Sequence, residues 1–129
     1  MNKPSQNNIL SDANNVIFDH AQAKRIAIGK VALLQKLAAQ FEKDMPPYLH
    51  KLHQALDEND VYRAGHLAHT IKGSALSMGA IKLGTLAHHM EVLLKQEQLQ
   101  DAITLFEDLN AALQELLAVW HHTDWKDIV

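Results

Sequence analysis

The chain has 129 residues, a formal net charge of −3 and a 47% hydrophobic share, which together describe one domain with a substantial core. Cysteine is absent, which excludes disulfides, thiolate metal centres and thiol catalysis, and the mild acidity argues against nucleic acid as a partner. No apolar run is long enough to span a membrane, and Leu plus Ala total 36 against 18 for Val, Ile and Thr, a balance that favours helix over sheet.

Residues 1–15, rich in Asn, Ser and Asp, read as a flexible polar lead-in without a secretory core. A short helix is expected from Asp19, with Gln22 in capping-box spacing and Gly29 placed to end it. Beyond Lys30, residues Leu34, Leu37, Phe41, Met45, Leu49, Leu52 and Leu56 recur at steps of three or four, which predicts a long amphipathic helix. Pro46-Pro47 falls inside that stripe and predicts a kink or a restart. Asp57-Glu58-Asn59-Asp60 is the first turn, and Asp60 is placed to cap a helix over about residues 60–77. The stripe of that helix is Ala64, Leu67, Ala68, Ile71, Ala75 and Met78. A tight connection, Ser77-Met78-Gly79-Ala80, leads to a helix carrying Leu83, Leu86, Met90 and Leu93. Gln96 to Gln100 makes the last junction, and Ala102, Phe106, Leu109, Leu113, Leu116 and Trp120 predict the final helix, with Trp120 sealing one end of the core. Short turns between long helices give antiparallel neighbours. Residues 16–122 are thus expected to form an all-α, antiparallel up-down four-helix bundle with a short extra N-terminal helix, followed by a C-terminal tail over 123–129.

Chemistry is expected where a sequence departs from what its fold needs. Gly65 and Gly73 both lie inside an otherwise strong helix, each costing about 1 kcal/mol relative to Ala. They stand four residues before and after His69, so all three share one helical face. That face lies roughly opposite Ile71 and points out of the bundle. The pattern predicts an exposed imidazole whose helical neighbours carry no side chain, with the Lys72 ammonium beside it. From Val61 to Met90 there is no Asp or Glu, while Arg63, Lys72 and Lys82 are present. A neutral-to-basic surface on an acidic protein suits an anion or an acidic partner pocket.

His69-Thr70-Ile71-Lys72-Gly73-Ser74-Ala75, followed by Gly79-Ala80, resembles the signature of histidine-containing phosphotransfer (HPt) domains of bacterial multistep phosphorelays. The resemblance extends over about residues 18–118, including the Asp-rich turn and the helix ending in Met90-Glu91. It implies that His69 accepts a phosphoryl group from the phospho-aspartate of a response-regulator receiver domain and passes it to an aspartate of a second receiver. Imidazole suits this, being a good nucleophile when neutral, as much of it is near pH 7. Lys72 would offset charge on the transferring phosphoryl oxygens, and Gly73 would leave room for the group and for the receiver's loops. One ring nitrogen must hold the proton so that the other is free; Glu91 on the following helix is placed to do this, with His88 as the alternative. Leu76 and Ala80 are expected among the docking contacts.

Each residue also has a plainer reading: His69 as an idle surface histidine, Lys72 as a solvated charge, Gly65 and Gly73 as helix-packing contacts, Glu91 as an ordinary surface acid. The paired histidines (His50 and His53, His66 and His69, His88 and His89, His121 and His122) raise a metal-binding bundle as one alternative, although the acids that would complete a ligand set are missing from the window. A helical scaffold that carries no phosphate is another. No ATP-binding or dimerising kinase segment fits the remaining residues. The expectation is therefore a cytoplasmic, monomeric carrier without a cofactor or metal, working with receiver domains either free-standing or as a module of a hybrid sensor kinase. Any Mg²⁺ would belong to the receiver.

Overall fold

A computed structural model describes residues 13–129, so residues 1–12 of the expected lead-in lie outside the described residues. Among the described residues five α-helices follow one another: α1 His20–Ile26, α2 Val31–Asp57, α3 Val61–Ser77, α4 Ile81–Lys95 and α5 Leu99–His121, with a 3₁₀ turn at Trp125–Asp127. There is no strand among the described residues. Helix α3 packs on α2 and α4, and α5 packs on the same two helices, which closes a four-helix ring; α1 rests on α2 and α3.

The turns explain the antiparallel order. Each of the first four helices ends in a Schellman motif, in which a left-handed residue just past the C-cap lets the next amide reach back five residues. The left-handed residues are Ile28, Asn59, Gly79 and Glu97. The returning bonds are Gly29 N–H to Lys24 O at 3.2 Å, Asp60 to Ala55 at 2.9 Å, Ala80 to Ala75 at 2.9 Å and Gln98 to Leu93 at 2.9 Å. In the last three links the residue that makes this bond is also the N-cap of the following helix. Chain reversal is thereby completed within three residues.

The predicted stripes form the core: Leu34, Phe41, Met45, Leu49, Leu52 and Leu56 of α2 are buried with Ala64, Leu67, Ala68, Ile71 and Ala75 of α3 and Leu83, Leu86, Met90 and Leu93 of α4, while Leu37 is only half-buried and Ala38 takes its place. Helix α2 runs through Pro46 and Pro47 without a restart; both prolines are exposed, where water can meet the carbonyls they leave unpaired, while buried Met45 and Leu49 hold the stripe in phase. Gln22 does not complete a capping box: its amide donates to Ser77 O at 3.2 Å and its oxygen accepts from Arg25, while Asp19 alone caps α1. Gly29 ends α1 as expected: left-handed like Ile28 before it, it donates the closing bond to Lys24 O. Phe106 is half-buried, its ring 4.9 Å from that of His53, and Leu105 takes the core position.

Trp120 does close one end, in contact with Phe41, Phe18 and Trp125. The C-terminal segment is drawn into that cluster, with Ile128 buried. Near the same end the chain before α1 is tied to the α3–α4 turn by Asp19 N–H to Gly79 O at 2.7 Å and Lys82 N–H to Val16 O at 2.8 Å. Gly79 has φ +81°, and a Cβ there would sit 2.5 Å from the Asp19 carbonyl oxygen. Gly79→Ala should therefore lower stability by at least about 1–2 kcal/mol, while Gly73→Ala in open helix should be neutral or stabilising by up to about 1 kcal/mol. Thermal unfolding of the two variants checks this, and an unaffected Gly79 variant would contradict the described turn.

Candidate functional site

Helix α3 turns one face away from the core. On that face the His69 side chain is 61% exposed. A Cβ built on Gly65 or Gly73 meets no atom within 4 Å, so neither is a packing glycine, and the ring stands with bare backbone on both sides. One heptad away in each direction are two exposed apolar residues, Tyr62 and Leu76. Leu76 lies over Gly84, where any Cβ would collide with it, so that residue holds α4 close to α3 beside the site. Ala80, expected as a docking contact, is fully buried: as the closing residue of the α3 Schellman motif its amide is turned back to Ala75 O.

Helix α4 supplies the group that organises this face. Glu91 is the sole buried charged residue among the described residues, at 6% exposure. It is therefore not the ordinary surface acid of the plainer reading. Its Oε2 lies 2.8 Å from His69 Nδ1 and its Oε1 accepts from Lys72 Nζ at 2.8 Å. Lys95 Nζ stands 3.5 Å from Oε2 and His88 Nδ1 4.0 Å from Oε1. Thus Glu91, and not His88, meets the His69 ring. Burial works to raise the Glu91 pKa, but hydrogen bonds and charge from Lys72 and His69 outweigh it and hold the group at about 2. An ionised carboxylate only accepts, so the shared proton belongs to Nδ1, and in the neutral ring the lone pair is then on Nε2.

The other cations of the acid-free window are engaged elsewhere, Lys82 with Glu115 at 2.8 Å and Arg63 near Glu58 at 3.9 Å. Beside His69, on the side of Gly65, a groove of about 570 Å³ runs between α3 and α4, lined by Tyr62, Gly65, His66, His69, Leu94 and Lys95, with Val61, Glu91 and Glu97 completing it. Sequence reasoning missed Tyr62 and Lys95. The i, i+4 spacing of Glu91 and Lys95 was the available signal for the latter. Among the described residues, no three His, Cys, Asp or Glu side chains gather as a metal set. His121 instead meets Glu42 at 2.6 Å, and His53 lies 3.6 Å from Asp57. No helix of the described residues is long and apolar enough to cross a membrane.

A family model described as Hpt domain matches residues 36–119, from the first turns of α2 nearly to the end of α5. Comparison with curated proteins and with solved structures returns no match.

The depressed pKa of Glu91 has a thermodynamic counterpart. A carboxyl whose folded pKa lies below its unfolded value of 4.5 stabilises the fold fully above that pH and loses its contribution as pH falls towards about 2. Glu91→Gln should lower stability near neutrality by about 2–3 kcal/mol. The gap between wild type and variant should close between these two pH values. Denaturant unfolding of both proteins across that range measures it; a gap independent of pH would show that the carboxylate charge is not what is being lost.

Proposed function

The chain belongs to the Hpt-domain family, and on that footing we propose that His69 is the phosphoryl acceptor, charged by the phospho-aspartate of one receiver domain and discharged to an aspartate of another. A histidine phosphotransfer role within a phosphorelay comes with the family, whose members are phosphocarriers that interact with receiver domains. The observation that carries the residue assignment is the exposed imidazole whose Nδ1 is held by a buried, ionised carboxylate.

The Nε2 lone pair attacks phosphorus, the P–O bond to the aspartyl carboxylate breaks, and its electron pair leaves with that carboxylate. Nδ1 keeps its proton, so the phosphorylated ring carries a positive charge, which Glu91 meets at 2.8 Å. Glu91 also fixes the tautomer, as a buried carboxylate does for the histidine of a catalytic triad. Lys72, held against Glu91, sets a positive field beside the ring. Gly73 leaves the approach clear for the incoming acyl phosphate. The carrier contributes no cofactor; Mg²⁺ belongs to the receiver. We place it in the cytoplasm as a monomer, either free-standing or as a module of a hybrid sensor kinase.

His69→Gln should abolish acid-labile, base-stable labelling by a phosphorylated receiver, while unfolding stays within about 1 kcal/mol of wild type because the exposed ring contributes little packing and the glutamine amide can still donate a hydrogen bond to Glu91. Normal labelling of that variant would refute the assignment, and a wild type that takes no label would favour a scaffold without phosphate. Gly73→Leu meets open space in the fold, so it should unfold like wild type or later, yet slow receiver-dependent labelling at least about tenfold. Retained kinetics would remove the steric role.

A further inference from the structure

Two ammonium groups reach the buried Glu91, and they are held very differently. Lys72 Nζ sits 2.8 Å from Oε1 and its side chain is only 22% exposed. Removing it would leave a buried carboxylate short of a partner, the situation that makes broken internal ion pairs expensive. Lys95 Nζ is 3.5 Å from Oε2, its side chain 75% exposed, and the pair is an i, i+4 contact on one helix. Such pairs are weak and screened by water. Lys95 can therefore leave Glu91 while the carboxylate keeps both of its short bonds.

Position points the same way. Lys95 and His69 line one groove and approach the same carboxylate oxygen, whereas Lys72 is not part of the groove lining. Gly65 lies in that groove, and with no atom within 4 Å of its absent Cβ it leaves a volume beside the ring unfilled. Glu97 lines the groove too, so without Lys95 a dianion there would face a carboxylate and imidazoles but no ammonium.

We propose that the phosphoryl group on His69 Nε2 lodges in the groove on the Gly65 side, where the Lys95 ammonium swings from Glu91 to meet its oxygens, while Lys72 stays on Glu91 as a positioning residue. The proposal rests on the reading of His69 as phosphoryl acceptor. It divides two tasks between two lysines: one keeps the imidazole oriented, the other contacts the transferred group.

The test uses the full chain and phosphoramidate, a small donor whose P–N bond breaks and releases ammonia as the Nε2–P bond forms, so no receiver is needed. The titration midpoint of the phosphoryl group on His69 is read by ³¹P NMR. Lys95→Ala should raise that midpoint by about half a pH unit, the size expected for losing one exposed ion pair, and the difference should shrink as salt is added. Lys95→Arg, which keeps the charge, should titrate like wild type. Thermal unfolding of the unphosphorylated Lys95→Ala protein should match wild type, whereas Lys72→Ala should unfold earlier. An unchanged midpoint in Lys95→Ala, or an Arg variant that behaves like Ala, overturns the role of Lys95 while leaving His69 as acceptor. Failure of the wild type to take phosphate on His69 overturns the underlying reading and this proposal with it.

Discussion

The arrangement of this molecule turns on one carboxylate taken out of water. Burying an ionised carboxyl costs several kcal/mol unless its lone pairs are met by donors of the right geometry. Glu91 is met on one oxygen by an imidazole N–H and on the other by an ammonium, both at 2.8 Å and both from the neighbouring helix. The same pair of bonds therefore does two things. It fastens α4 to α3 across sequence separations of 22 and 19 residues, and in the neutral ring it puts the proton on Nδ1, so that the lone pair is at Nε2 on the exposed side. A surface acid at this position would orient the ring only weakly, because water would compete for both partners. Burial makes the orientation persistent.

The bundle serves that interaction by keeping α3 and α4 close and in register. Their link is a three-residue reversal through Gly79, and the bare Gly84 lets Leu76 lie directly on α4. Next to the ring the sequence does the opposite and leaves space. Gly65 and Gly73 each weaken the helix by about 1 kcal/mol relative to Ala and pack against nothing. A core of leucine, methionine and alanine side chains on all four long helices carries that cost. The outcome is a rigid scaffold with one polar residue anchored inside it and one reactive nitrogen outside.

Lysines at this site need separate treatment, since equal charge does not mean equal role. Lys72 is half-sunk against a buried partner; Lys95 is mostly in water and weakly tied. The first belongs to the architecture of the site. The second is free to respond to charge that arrives in the groove.

Much of this was legible from residue order alone. Periodicity places the four long helices because a buried stripe needs an apolar residue every three or four positions, and the outward face of α3 follows because Ile71, Ala68 and Ala75 must point inward. The cap at Asp60 and the reversal at Gly79 are local, and local stereochemistry suffices for them. Some local signals misled: Gln22 finds a partner on another helix in place of its own cap, and Leu105 takes the core position expected of Phe106. The two prolines leave α2 continuous because they lie on its wet face.

What residue order determined, then, is the helical bundle, the exposed His69 and its stripped neighbours, since each depends on spacing within one helix. Only the tertiary structure decided that Glu91 is buried and ionised, that it grips His69 and Lys72 together, that Ala80 is sealed in, and that Lys95 and Tyr62 border the reactive ring. Those facts depend on the rotation and depth of α4 against α3. That relation is set by packing between distant residues and not by the pattern along either helix.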